Sequence, residues 1–267
     1  MNQILISEKI YVTPELKRKK RMYKIDFFIS VFLVFILSSY YIYAEYDKNK
    51  NEELSQEILS NLSFNNTLVD DTVIKFEDNA TLVILNEDDQ AKVVILSTVD
   101  EETGEQEEYT VEELVEENVR TNTLITESGQ KYYPIAKIYI PSINCEYPIL
   151  CAIDSRYTWS DELLKISPCY FWGAEPNQVG NFCIAGHNYR NTKFFSKVPT
   201  LNDGDIIEIT DLTNTTVEYY VYDKYTVYDD ERECTSQETD GKTEITLITC
   251  TNDSSKRIIV KARKVGE

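Results

Sequence analysis

Hydrophobic and polar positions alternate along this chain in three regimes. Residues 25–44 form a predominantly apolar run, preceded by Lys17, Arg18, Lys19, Lys20, Arg21 and Lys24. At about 1.5 Å per residue such a run spans the ~30 Å hydrocarbon core of a bilayer as a helix. Asp26 sits at the edge of the run beside the basic cluster, and Tyr40, Tyr41, Tyr43 and Tyr46 suit the opposite interface. Residues 47–130 are acidic and polar. From residue 135 onward short β-branched and aromatic runs recur between turn residues, at 135–140, 146–150, 180–187, 205–210, 217–227, 243–250 and 257–264. Residues 161–166 and 192–198 read as short helices or turns. Many short strands at this spacing predict a mainly β fold that closes, or nearly closes, into a barrel.

The flanking charge orients the apolar run. Basic residues stay on the cytoplasmic side, so the N-terminus is expected inside and the C-terminal portion outside. A cleaved signal peptide fits less well, because the preceding segment is long and Ile42-Tyr43-Ala44 is a poor cleavage site. The expected organisation is a basic cytoplasmic tail (1–24), a transmembrane helix (25–44), an acidic extracellular stalk (45–130) and a β domain (131–267). Within the stalk, residues up to 66 read as helical or unstructured. Strand-like runs at 72–76, 81–85 and 91–98 suggest a small β subdomain, and 111–119 a short amphipathic helix. No calcium-binding Asp-x-Asp-x-Asp-Gly loop occurs, so the carboxylates read as a solvated spacer. The net charge of -19 argues against a nucleic-acid partner.

The candidate chemistry lies at two strand ends. Thr246-Leu247-Ile248-Thr249-Cys250 closes one strand, and a polar loop, 251–256, turns it into another that starts at Arg257. A thiol at a strand end has a rigid backbone and an accessible side chain. The one histidine, His187, follows Ala185-Gly186 at the end of another apolar strand, so any imidazole chemistry must use it. Alone, Cys250 reads as a small buried hydrophobe, His187 as an ordinary imidazole and Arg257 as a surface residue. Arg263 and Arg190 are rival arginines, the first farther along the returning strand and the second off the motif.

Ala185-Gly186-His187, the Thr246–Cys250 run and the following Arg257 resemble the signature of sortases, cysteine transpeptidases of Gram-positive surfaces. Ile140-Pro141-Ser142-Ile143 before Tyr147-Pro148-Ile149, and Leu201-Asn202-Asp203-Gly204-Asp205, extend the resemblance from about residue 135 to 265. It implies an eight-stranded barrel with Cys250 as nucleophile, His187 as general acid and base, and Arg257 stabilising the oxyanion or holding substrate. No cofactor is expected, and a single histidine without a C-x-x-C pair gives little support to a metal site. The implied partners are the membrane, sorting-signal peptides of the Leu-Pro-x-Thr-Gly type and a cell-wall amine acceptor. The His187-to-Cys250 spacing resembles class A or D members, class D by preference. The short gap from Cys250 to Arg257 and the long acidic segment depart from the pattern, which bears on substrate and class. The competing readings are a surface β domain that binds peptide or wall material without catalysis, and a sortase-like hydrolase. A papain-like enzyme would place its cysteine early, on a helix, before the histidine. Cys145, Cys151, Cys169, Cys183 and Cys234 form no C-x-x-C pair, and Cys183 reads as core.

Overall fold

The computed structural model describes residues 14–62, 96–99, 106–109, 119 and 122–267. It divides into two units, residues 1–50 and 51–267. Helix α1 (Pro14–Asn61) begins in the first and ends in the second. In the first unit, Phe27, Phe28, Phe32, Val34, Phe35 and Leu37 are all exposed on α1. The helix is long and apolar enough to cross a membrane. The expected strands at 72–76 and 81–85 lie outside the described residues, as does the helix at 111–119 except residue 119. Of the expected run at 91–98, the end is seen: β1 (Leu96–Val99) pairs antiparallel with β2 (Gln106–Tyr109).

The rest of the second unit is built on a closed sheet. A short β3 (Leu124–Ile125) leads into β4 (Lys131–Ile140), β5 (Cys145–Ala152), helix α2 (Asp161–Ile166), β6 (Cys169–Gly173) and β7 (Gly180–Ala185). A 3-10 turn (Phe195–Thr200) follows, then β8 (Ile206–Asp211), β9 (Thr216–Tyr228), β10 (Thr243–Cys250) and β11 (Lys256–Lys264). Eight strands run β4-β5-β6-β7-β10-β11-β9-β8, and β8 pairs back to β4 through Ile138↔Ile209 and its neighbours. Closure removes the unpaired edges that an open sheet would present. β3 adds a two-residue flap on β4. The β5–β6 and β7–β10 pairs are parallel and the other barrel pairs antiparallel.

The short helix or turn expected at 192–198 is the 3-10 turn Phe195–Thr200, whose Pro199 lacks the N–H that a continuing α-helix needs. The five-residue β6 was not among the expected strands, although its Cys-Tyr-Phe-Trp run favours extended backbone. Pro134 likewise lacks an N–H for the ladder, and the β4–β5 register shifts next to it.

Alternation places Ile138, Ile140, Phe182, Ile184, Ile245, Leu247, Val260 and Tyr219 in the barrel interior, all essentially inaccessible. Phe195, Val198 and Leu201 cap it from the 3-10 segment. Each such side chain contributes about 1.5–3 kcal/mol by leaving water. A second cluster outside the barrel joins Leu150, Tyr132 and Cys169 to Leu163 and Ile166 of α2 and to Ile58 of α1. Ser160 caps α2, its hydroxyl accepting from the Leu163 N–H at 3.2 Å, and Asp161 and Glu162 complement the helix dipole in the first turn. All six cysteines are free thiols. Burial pushes Cys145 and Cys183 up to about 12 and Cys169 well above its usual value, which keeps these thiols protonated and inert.

Candidate active site

Strand order brings the sequence-expected residues together. β7 and β10 run parallel, with Ala185 opposite Ile248, so the chain leaves both strands at the same rim. Across the β10–β11 hairpin, Cys250 is the direct partner of Arg257. His187, Cys250 and Arg257 thus stand at the ends of three neighbouring strands. All three line one cleft of about 290 Å³. Trp159, Leu164, Phe171, Ile248 and Ile259 give it apolar walls, and Asp161, Asp229, Glu231 and Arg232 bring charge.

Short polar contacts fix the two strand ends against each other. The Gly186 N–H donates to the Ile248 carbonyl at 3.0 Å, and the buried Thr249 hydroxyl donates to the Gly186 carbonyl at 2.8 Å. Asn188 Nδ2 donates to the Cys250 carbonyl at 2.9 Å and to Asn252 Oδ1 at 3.2 Å. Gly186 is required by space. A Cβ there would sit 2.6 Å from the Phe195 ring, inside van der Waals contact.

Cys250 is half-buried, so its thiol is open to the cleft. The His187 imidazole is also half-buried and lies 5.1 Å from the Tyr189 ring, centroid to centroid. Burial lowers its pKa below the usual value; Asp161 on α2 opposes this and Lys165 adds to it. Arg257 makes two long hydrogen bonds, both from Nη1, to the carbonyls of Lys256 at 3.3 Å and Ser254 at 3.5 Å. Its fork therefore keeps donors for a ligand in the cleft.

The rival arginines are occupied elsewhere. Arg263 binds the buried Glu244 through Nε and Nη2 at 3.0 and 2.7 Å, with its guanidinium over the Tyr222 ring. Arg190 donates to the Ser254 hydroxyl at 3.2 Å on the exposed surface.

Sequence reading missed the residues that hold the far wall. The β9–β10 connection supplies Glu231, Arg232, Cys234 and Thr235 to the cleft. Gln237 Oε1 accepts from the N–H groups of Ala174 and Asn181 at 3.1 and 3.0 Å, while its Nε2 donates to the carbonyls of Asn181 and Thr235, both at 3.0 Å. Asn181 Nδ2 donates to the Cys234 and Ser236 carbonyls, each at 3.0 Å, and its Oδ1 accepts from Thr246 at 2.6 Å. The signal was an asparagine in a strand otherwise buried and apolar, since a buried amide needs partners.

Residues 138–265, nearly the whole barrel, match the sortase domain model. The chain is 30% identical to a Clostridium perfringens Sortase D5 transpeptidase, matching 90% of that chain with 59% of its own at a TM-score of 0.46. The chain belongs to the sortase family. It is a sortase-type cysteine transpeptidase on a closed eight-stranded barrel. Other similar structures are Sortase A from Corynebacterium diphtheriae, a lid mutant (27% identity, 51% of this chain, 72% of that chain, TM-score 0.43), and sortase C-1 from Actinomyces oris (27%, 50%, 76%, 0.43). No curated protein sequence matches the chain.

Proposed function

We propose that this sortase is held in the membrane by α1, with its barrel outside the cell, and joins surface proteins to a cell-wall amine. Cys250 is the nucleophile, His187 the general acid and base, and Arg257 the oxyanion or substrate donor. The observation that carries this is the convergence of the three side chains on one cleft from the ends of β7, β10 and β11.

The chemistry follows from their types. Cys250 gives its proton to His187, and the thiolate adds to the carbonyl of the scissile bond in a Leu-Pro-x-Thr-Gly-like signal. Arg257 donates to the oxygen as charge develops on it. Collapse of the tetrahedral adduct breaks the C–N bond, and the leaving amine takes the proton from His187. An incoming amine then attacks the thioester, gives its proton to His187, and a new amide forms as Cys250 is released. Bond exchange of this kind needs no external energy source, because an amide is both broken and made. Burial of His187 favours the neutral imidazole, the form that can take a proton. The apolar walls suit the leucine and proline of such a signal.

The anchor reading rests on the exposed apolar run at 25–44 of α1 and the basic residues that precede that run in the same helix. The test uses the full chain in detergent, a panel of fluorogenic signal peptides and amine acceptors, with Cys250→Ala beside it. A Cys250-dependent peptide–amine product supports the proposal. Free acid alone, with every acceptor present, would replace transfer by hydrolysis.

A further inference from the structure

We propose that the end of α1 is a working part of the catalytic domain, with Glu52 and Ile58 as positioning residues that hold the His187 loop and α2 in place. This rests on the role of His187 given above.

The sequence reads residues 51–61 as part of a stalk, but a stalk does not bury its polar side chains. Ser55 is completely inaccessible. Its hydroxyl donates to Ser167 Oγ at 2.9 Å, and Ser167 Oγ donates to the Pro148 carbonyl at 2.6 Å. Gln56 Nε2 donates to the Glu146 carbonyl at 3.1 Å. One turn apart from Leu54, Ile58 is 6% exposed and packs in the cluster of Leu150, Leu163 and Ile166. These are i and i+4 neighbours on one helix face.

Two routes lead from this face to the cleft. In the first, the Glu52 carboxylate pairs with Lys193 and accepts from the Tyr147 hydroxyl at 3.2 Å. Lys193 precedes Phe194, a fully buried residue at φ 48 and ψ -127, where a side chain with a Cβ is strained. Such a conformation persists only when its surroundings over-determine it. Here the Tyr147 and Tyr189 rings lie 5.0 and 5.5 Å from the Phe194 ring, and Phe194 bridges to Asn188. Tyr189 in turn packs on His187, and the Phe195 N–H donates to the His187 carbonyl at 3.1 Å. In the second route, Ile58 supports Leu163 and Ile166 of α2. The opposite side of α2 supplies Asp161 and Leu164 to the cleft, and its Lys165 acts on the imidazole.

A single histidine makes the test direct. The full chain is labelled at the imidazole nitrogens, and its one set of ring signals is titrated in the parent, Glu52→Gln, Ile58→Val and the Glu52→Gln/Lys193→Gln pair. Glu52→Gln keeps the shape of a partly exposed side chain, and circular dichroism verifies the fold. The charged and titratable groups around the ring, namely Asp161, Lys165, Asp229, Glu231, Arg232, Arg257 and Cys250, remain in every variant. The expected result is a displaced ring signal and a shifted midpoint in both single variants, with kcat down about tenfold and the peptide KM little changed. The Glu52/Lys193 double variant should lose no more than Glu52→Gln alone. Unchanged ring signals in the folded variants, or a larger loss in the pair than in Glu52→Gln alone, would overturn the proposal. The ring titration needs no substrate, so displaced signals in a protein that turns over no peptide would sink the proposed function and leave the positioning intact.

Discussion

Gly186→Ala is a sharp test of how the histidine is placed. The added Cβ would meet Phe195 Cδ2 at 2.6 Å and Cγ at 2.7 Å, against an optimal carbon separation of about 3.5–4.0 Å. Something must therefore move by about 1 Å. Phe195 is fully buried among Val198 and Leu201 and cannot swing into solvent. Gly186 is itself tied to β10 by its N–H and its carbonyl. Overpacking of this kind costs about 1–3 kcal/mol, which lowers Tm by about 2–12 °C for a domain of this size. The cheaper adjustment lifts the backbone at Gly186, and His187 goes with it. A displacement of about 1 Å at a catalytic group costs roughly a hundredfold in rate. Melting by circular dichroism and kcat/KM on a signal peptide read the two effects separately. Phe195→Leu in the same chain should return part of the lost rate by making room. Parent-like Tm and kcat/KM in Gly186→Ala would refute the reasoning, because the strand end would then tolerate a Cβ without shifting the imidazole.

Other consequences follow from the same geometry. Arg257→Ala should lower kcat/KM by about 10²–10³, the scale of a lost oxyanion donor, with Tm unchanged, as steady-state kinetics and melting would record. Arg263→Ala should do the reverse, lowering stability by about 1–3 kcal/mol in urea unfolding because Oε1 of the buried Glu244 loses both guanidinium donors while the cleft is intact. Gln237→Ala removes four hydrogen bonds that hold the β9–β10 wall and should raise the peptide KM more than it lowers kcat. Because burial lowers the His187 pKa, the unfolded chain takes up this proton first as pH falls. The stability associated with neutral His187 is full above its ordinary value of 6.5, declines as pH falls from there to the folded pKa, and is then constant. Urea unfolding across this window should show a steeper loss for the parent than for His187→Gln.

Seven of the eight barrel strands were legible because each carries its own β-branched and aromatic run, and 243–250 matches β10 end to end. The candidate site residues stood out for a different reason. Cys250, His187 and Arg257 each follow a local pattern at a strand end, and parallel β7–β10 pairing brings those ends together. β6 escaped notice because five residues between a helix and a glycine carry too little periodicity. Long-range partnerships were also hidden. Nothing local in Gln237 announces that its amide spans β6, β7 and its own loop, and the strain at Phe194 appears only with the backbone. In α1, Leu54 and Ile58 lie four apart among charged residues, a two-residue stripe that composition alone averages into a solvated stalk.

The central claim, that Cys250 forms a thioester which an amine resolves, is tested most directly by intact-protein mass spectrometry. The full chain is mixed with a Leu-Pro-x-Thr-Gly peptide, first without an acceptor and then with one. The account predicts an added mass equal to the peptide up to its threonine. Peptide mapping should place that mass on Cys250, and it should disappear as a peptide–amine product grows. Acylation that survives in Cys250→Ala, or peptide cleavage by a folded protein in which Cys250 never carries the acyl group, would contradict it.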